Sequence, residues 1–399
     1  MTKVKEKAKL ELLNISDKIG EIAIHYGFSV IKPPQITNDD ISKTKQFKEF
    51  DHYGDSHEKV ALTRWYIEQR FDLEPQPISI HYKKPLGGTT DKKKPTNEVY
   101  GFEIMGSTKS TSESLLLKCV ISILEELGYK DICIDINSIG DRESVNRFER
   151  EMGTHFRKNG HLLAAKTKQD FKKSIYSILK LNSPDAKEFL KTAPQTIGSL
   201  SDNGRIHFKE VLESLEAFGV NYKINPVVLS NKLFATYTTF EIRTLPGADG
   251  DTTKTELLAY GYRYNSLGKK LGAKREIPTV GATIMVKRNK DFAQKVIVKN
   301  IKKPKFYLVQ LGNTAKLKAL NVVEMLRKHK IPIYHSITKD KITGQLSGAE
   351  YMKATHVLIM GQKEAMENSM VVRDIVSRKQ ETVSLDDLPK FLKGLKGSK

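Results

Sequence analysis

The sequence predicts an α+β chain: a mainly antiparallel sheet core with a helical insertion, followed by a smaller α/β domain. Three patterns carry that prediction. Short runs of alternating apolar and polar residues, the mark of half-buried strands, occupy 60–106 and return between 220 and 287. From about 142 to 217 the pattern is almost wholly helical with charged faces, as in a module inserted into another domain. After Pro304, strand and helix alternate, the arrangement that builds βαβ units around a sheet covered on both sides. The expected domains are therefore 1–300, with the insertion inside it, and 304–399.

In chain order, residues 5–27 place Leu10, Leu13, Ile19, Ile22 and Ile24 at mostly helical spacing and stop at Gly27. The stretch FSVIKPPQI predicts a strand closed by Pro33 and Pro34, which cannot donate ladder hydrogen bonds, and so an edge or interface segment. PQPISIHYKKP and EVYGFEIMGS predict an antiparallel pair joined by a long basic loop. SESLLLKCVISILEELGYKD predicts a helix ending at Gly128, and ICIDINSIGD a strand running into a turn. VNYKINPVVL, ATYTTFEIRTL, TELLAYGYRY and TVGATIMVK predict consecutive antiparallel strands. Residues 295–305, KVIVKNIKKPK, read as the linker to the second domain.

Composition narrows the function. Sixty-seven Lys and Arg against 47 Asp and Glu give a formal charge of +20, which draws polyanions from a distance and makes nucleic acid the first partner to consider. A lysine coat that serves solubility accounts for the same number. Cys119 and Cys133, the two cysteines, both lie in apolar runs and are too few for a disulfide framework or a zinc site. The charged start and the lack of any run of about 18 apolar residues predict a soluble, cytoplasmic protein without a membrane anchor. Phosphate loops of the G-x-x-x-x-G-K-[ST] type, H-E-x-x-H helices and G-x-S-x-G elbows do not occur.

The order of these pieces resembles a class II aminoacyl-tRNA synthetase, specifically the histidyl-tRNA synthetase family, along nearly the whole chain. GFEIMGSTKSTSESLLLKCVISILEELGYKDICIDINSIGDRESVNRF is similar to the family's segment from the end of motif 2 through the I-N-S-x-G strand. YGYRYNSL is similar to G-G-R-Y-D-G-L, IPTVGATIMVKR to motif 3, and FYLVQLG, VLIMGQKE and MVVRDI to pieces of the anticodon-binding domain. YGFSVIKPPQI takes the place of motif 1, whose proline belongs to the dimer interface. The resemblance implies a class II synthetase antiparallel sheet holding ATP and an amino acid, an α/β anticodon-binding-type domain, tRNA as partner, and a homodimer. It also implies ATP and Mg as cofactors if the protein is active, and none otherwise.

Residue by residue, the carry-over is uneven. Arg288 matches the motif 3 arginine that points at the ATP tail and is the first candidate for catalysis and ATP binding. Where the family has F-R-x-E-R-P this chain has IHYKKP, so His81 stands in the arginine's place as the second catalytic candidate. A histidine, largely neutral near pH 7, cannot copy a bidentate guanidinium. Lys83 and Lys84 are the remaining ATP-binding candidates, as point charges on phosphate or as ordinary solvated lysines. Glu103 matches a carboxylate that contacts substrate histidine, Tyr264 a tyrosine lining that pocket, and Glu58 an acid of the P-E-G-T segment. A buried Glu103 requires a cationic partner; otherwise it faces solvent. The letters of AYGYRYNSLGKK, Ala259 to Lys270, fit an aromatic core strand with Arg263 exposed, but their place in the resemblance favours a substrate-facing strand. The family's histidine-recognition loop R-G-L-D-Y-Y is met by SNKLFA, Ser230 to Ala235, which lacks its arginine, acid and tyrosines. No metal-ligating set stands out. The expectation is a synthetase-like, tRNA-binding protein with weak or absent aminoacylation, the alternative being an active histidine–tRNA ligase.

Overall fold

The computed structural model of the chain describes residues 14–47, 53–84, 97–229, 235–245, 255–287, 294–298 and 304–395. A short strand β1 (Ile15–Ser16) precedes helix α1 (Lys18–His25), strand β2 (Ser29–Val30), and helices α2 (Asn38–Gln46) and α3 (Ser56–Glu68). Strands β3 (Ile78–Lys83) and β4 (Asn97–Met105) lead to helix α4 (Thr111–Glu126) and strand β5 (Ile132–Gly140). Helices α5 (Arg142–Asn159), α6 (Ala165–Lys173), α7 (Pro184–Leu190) and α8 (Asp202–Ala217) form the insertion, with strands absent between β5 and Ala217 among the described residues. Strands β6 (Tyr222–Ile224), β7 (Thr236–Thr244) and β8 (Leu257–Arg263), helix α9 (Leu267–Lys270) and strand β9 (Thr279–Lys287) complete this part.

Eight of these strands form one sheet in the order β2-β3-β4-β9-β8-β7-β5-β6. The proline-terminated β2 is its outermost strand on one side, as a segment unable to donate further ladder bonds should be. The expected β3–β4 pair is antiparallel, and the basic loop between them lies outside the described residues, as does most of SNKLFA. Strands β7, β8 and β9 run antiparallel as expected, but β6 lies parallel to β5, because the insertion carries the chain back to the start of the sheet edge before β6 begins.

Two helix boundaries follow from local chemistry. Of the helix expected over 5–27, residues 5–13 with Leu10 and Leu13 lie outside the described residues; α1 itself begins at Lys18, where Asp17 caps it, its carboxylate accepting from the Gly20 amide at 2.9 Å, and the preceding Ile15–Ser16 is strand. Helix α4 ends at Gly128, whose φ of +91° lets the Tyr129 amide reach back to the Leu124 carbonyl.

The second sheet is built from β11 (Phe306–Gln310), helix α10 (Asn313–Lys328), β12 (Ile333–His335), helix α11 (Ile342–Tyr351), β13 (His356–Met360), helix α12 (Gln362–Met366), β14 (Ser369–Asp374), β15 (Gln380–Ser384) and helix α13 (Leu388–Leu395), with order β12-β11-β13-β14-β15. Its first three strands are parallel, as βαβ units require, whereas β14 and β15 form an antiparallel hairpin. The expected linker contains strand β10 (Val296–Ile297), which pairs antiparallel with β1 and ties the start of the chain to the passage between the sheets. Helix α10 packs through Leu320 and Val323 into the same apolar cluster as α4. There the buried Tyr26 hydroxyl donates to Glu324 and pairs with Ser122, each at 2.7 Å, while Arg327 reaches Glu126 at 2.8 Å.

The eight-stranded sheet has two unlike faces. Register places Phe102, Ile134, Ile136, Phe240, Ile242, Ala259, Val280, Ala282 and Ile284 on one face, packed against α1, α4 and α8. The opposite face carries Tyr82, Glu103, Tyr260, Tyr262, Tyr264, Thr283 and Glu241, and α3 lies over it.

Candidate functional site

The polar face of the central strands converges on one buried ion pair. Glu103 projects from the middle of β4, completely buried, and meets Lys59 from the first turns of α3. The Lys59 Nζ lies 2.5 Å from Glu103 Oε1 and 3.9 Å from Asp55 Oδ2. Tyr264 donates to Glu103 Oε2 at 2.7 Å, and Tyr82 donates to Glu58 at 2.7 Å with Glu103 Oε1 at 3.3 Å. Tyr262 donates to Asp55 at 2.8 Å, and Lys84 bridges Glu58 and the Thr283 hydroxyl, each at 2.8 Å. The Lys59 ammonium also lies 5.7 Å and 5.4 Å from the Tyr262 and Tyr264 ring centroids, within cation–π range.

Backbone shape makes room for this arrangement. A Cβ at Gly281 would fall 1.9 Å from Glu103 Oε2, and one at Gly101 would fall 2.2 Å from the Tyr82 ring. Both glycines therefore let a large polar side chain lie flat on the neighbouring strand.

Electrostatics follow from the count of charges. Asp55, Glu58 and Glu103 surround Lys59, and Lys84 is the second cation in contact with them. Burial alone would strip the Lys59 proton, but the three carboxylates outweigh it and hold the lysine charged well beyond its ordinary range. For Glu103 and Asp55 burial is the larger effect: both carboxyls are pushed up despite the attraction of Lys59. One ammonium does not satisfy all its acids, and Asp55 Oδ2 has no hydrogen-bond partner. Tyr53 closes the far end, its ring stacked 4.0 Å from that of Tyr260 and its hydroxyl 3.1 Å from Glu241.

Of the residues singled out from sequence, Glu58, Lys84, Glu103 and Tyr264 meet here. Glu103 resolves the choice posed above: it is buried and has its cationic partner within the chain. His81 and Lys83 do not join them, because in β3 they alternate with Ile80 and Tyr82 and so point to the opposite face. His81 stacks beside Phe102 at 4.4 Å and Tyr100 at 5.7 Å, with burial pushing its pKa down to about 4 and Nδ1 unpartnered. Lys83 is half-exposed and pairs with Glu98 at 2.8 Å. His81, the catalytic candidate, and Lys83, the ATP-binding candidate, therefore lie on the face away from Glu103. Arg288 lies outside the described residues, as do Leu233 and Phe234.

Arg263 is not exposed, although the aromatic core-strand alternative required it to be. It is buried completely, on the apolar face, with Nε donating to Glu113 at 2.6 Å and a second nitrogen donating to the other Glu113 oxygen. Its remaining donors reach the carbonyls of Ser107 at 2.7 Å and Lys109 at 3.0 Å, and His207 sits 2.7 Å from Glu113. Sequence reasoning missed Lys59 and Asp55. The available signal was their spacing of four residues in DSHEKVAL, which puts both on one face of a helix together with Thr63 and Tyr66.

Comparison with known proteins now bears on this geometry. A family model described as an anticodon binding domain matches residues 296–395. Histidine–tRNA ligases of Staphylococcus aureus strains JH9 and Newman are each 24% identical over 405 residues, covering 95% of this chain and 95% of the relative. The crystal structure of apo S. aureus histidyl-tRNA synthetase superposes with a TM-score of 0.52 at 21% identity, covering 94% of both chains, and shows that the fold is shared. With a mainly antiparallel eight-stranded core, a helical stretch between β5 and β6 and the matched C-terminal unit, the chain is similar to members of the class II histidyl-tRNA synthetase family along nearly its whole length.

Proposed function

We propose that this chain is a tRNA-binding member of the family whose adenylate-forming centre is degenerate, with weak or absent aminoacylation. One observation carries the reading: the carboxylate that the resemblance assigns to substrate histidine, Glu103, is already neutralised by the chain's own Lys59 at 2.5 Å, with both groups buried. An incoming ammonium would have to displace a lysine held by three acids and two tyrosine rings. The phosphate side supports the same reading. Lys84 is committed to Glu58 and Thr283, Lys83 points to the other face, and neutral, buried His81 offers no fork for phosphate oxygens. Among the described residues no group of three His, Cys, Asp or Glu is placed to hold a metal ion.

The tRNA half of the reading rests on the C-terminal unit matched over 296–395 and on the charge of +20. Among the described residues no helix is long and apolar enough to cross a membrane. A cytoplasmic homodimer, joined through the segment around Pro33 and Pro34, completes the proposal, and light scattering of the purified chain tests the dimer.

The decisive experiment is ATP–pyrophosphate exchange with histidine beside tRNA binding at several salt concentrations. Silent exchange with salt-sensitive, tRNA-selective binding supports the proposal. Prompt exchange, or charging of tRNA at an ordinary enzyme's rate, establishes the alternative, an active histidine–tRNA ligase using ATP and Mg.

A further inference from the structure

Between the two sheets lies a cleft of about 540 Å³, away from the tyrosine-lined face. The start of α4, with Lys109 and Thr111, forms one wall. The start of α10, with Gly312 and Lys316, forms another, closed by Asp340 from the loop after β12. Both helices are 16 residues long and neither has a side-chain cap at its amino end, so first-turn amides from two dipoles border the same space. Helix N-termini of this kind favour anions.

Topology brings the carboxyl end of β11 to the cleft. Helix α10, which follows β11, covers the sheet face of Leu308, while α11, which follows the adjacent parallel strand β12, packs through Leu346 and Ala349 on the face of Tyr307 and Val309. The two helices thus leave the sheet on opposite faces, and of the two it is α10 that begins at the cleft.

Two side chains in the cleft are unexplained by the fold. Thr111 is 8% exposed, yet its hydroxyl has no hydrogen-bond partner. Asp340 lies 3.0 Å from the Lys109 ammonium and also accepts from the buried Lys316. An internal carboxylate thus occupies the position that two lysines and two helix ends would offer to an anion. The other acids of the cleft have partners of their own on its wall: Glu210 accepts from the Ser110 hydroxyl, and Glu213 lies 3.7 Å from Lys209. They leave Asp340 as the group an incoming anion would replace.

We propose that this cleft is a phosphate-binding site, taking inorganic phosphate or a phosphodiester of an RNA strand, with Asp340 as a built-in competitor displaced from Lys109 and Lys316. This proposal is independent of whether the adenylate centre works.

The test is calorimetric titration of the full chain with inorganic phosphate, paired with anisotropy of a labelled hairpin RNA at fixed salt. Thr111→Val keeps the shape and removes the hydroxyl; it is expected to weaken phosphate binding about fivefold. Asp340→Asn removes the competitor and is expected to tighten it by a similar factor, whereas Asp72→Asn, an equal charge change at an exposed site, leaves it unchanged. RNA affinity that follows phosphate affinity across the set identifies the phosphodiester as the source; phosphate affinity moving alone identifies the free anion, and either supports the site. Equal phosphate binding by wild type, Thr111→Val and Asp340→Asn, or the same gain from Asp72→Asn as from Asp340→Asn, overturns it. Should Asp340→Asn melt before titration, Thr111→Val decides alone.

Discussion

Two buried ion pairs sit on opposite faces of one sheet, and they are built to different standards. Arg263 and Glu113, on the apolar face, form a two-pronged pair whose remaining donors end on backbone carbonyls. Lys59 and Glu103, on the tyrosine-lined face, share their space with Asp55 and Glu58, and an Asp55 oxygen is left without a hydrogen-bond partner. The carboxyls respond in opposite senses. Burial raises both, but a guanidinium and His207 overcome it at Glu113, whose pKa is lowered to about 2, while at Glu103 burial prevails over the single lysine. A satisfied pair is what a fold keeps for structure. On the other face the acids are over-supplied: Asp55, Glu58 and Glu103 share Lys59 and Lys84.

That contrast breaks down most visibly if the Arg263 pair proves dispensable. Replacing it, Arg263→Met, leaves Glu113 buried beside His207 alone and is expected to cost about 3–5 kcal/mol in urea unfolding; a loss under about 1 kcal/mol would remove the structural assignment.

The same pair sets an acid limb. Glu113 moves from an ordinary 4.5 to about 2 in the folded chain, so its contribution is fully present above about 4.5 and is lost as pH falls toward 2. By linkage that amounts to roughly 3 kcal/mol. Unfolding free energies between pH 6 and 2 should therefore fall steeply for the native chain and more gently for Glu113→Gln, and parallel curves would contradict the assignment.

On the other face the expected cost is smaller. Glu103→Gln leaves Lys59 its Asp55 and Glu58 neighbours and relieves an acid that burial already disfavours, so about 1–2 kcal/mol is expected. A loss as large as that of Arg263→Met would erase the distinction between the two pairs.

Least of all should change at His81. With Nδ1 unpartnered and the ring packed on Phe102, His81→Phe is expected to alter stability by no more than about 1 kcal/mol. Any ATP-dependent activity that collapsed in this variant while the fold stayed intact would return His81 to the catalytic set.

Legibility in the sequence tracked the range of the interaction. The β3–β4 pair, the helix ending at Gly128 and the strandless stretch after β5 could be read directly, because each rests on periodicity or on a left-handed glycine within a few residues. The break before α1 was not legible, since the helical spacing runs on through residues 15–17, where Ile15–Ser16 is strand and Asp17 caps the helix. Of the residues gathered around Lys59, Glu103, Tyr264, Glu58 and Lys84 are ones the resemblance singles out. Lys59 was passed over because a lysine amid charged residues looks solvated until a partner 44 positions away is placed against it.

The sequence alone determined where strands and helices alternate, where prolines make an edge, and the net charge of +20, since these depend on neighbouring residues or on sums. Only the tertiary structure decided which polar groups meet. In a strand, one residue's difference exchanges the faces, so Tyr82 joins Glu103 while His81 next to it turns into the apolar core, and pairing Arg263 with Glu113 across 150 positions requires the whole sheet to be assembled first.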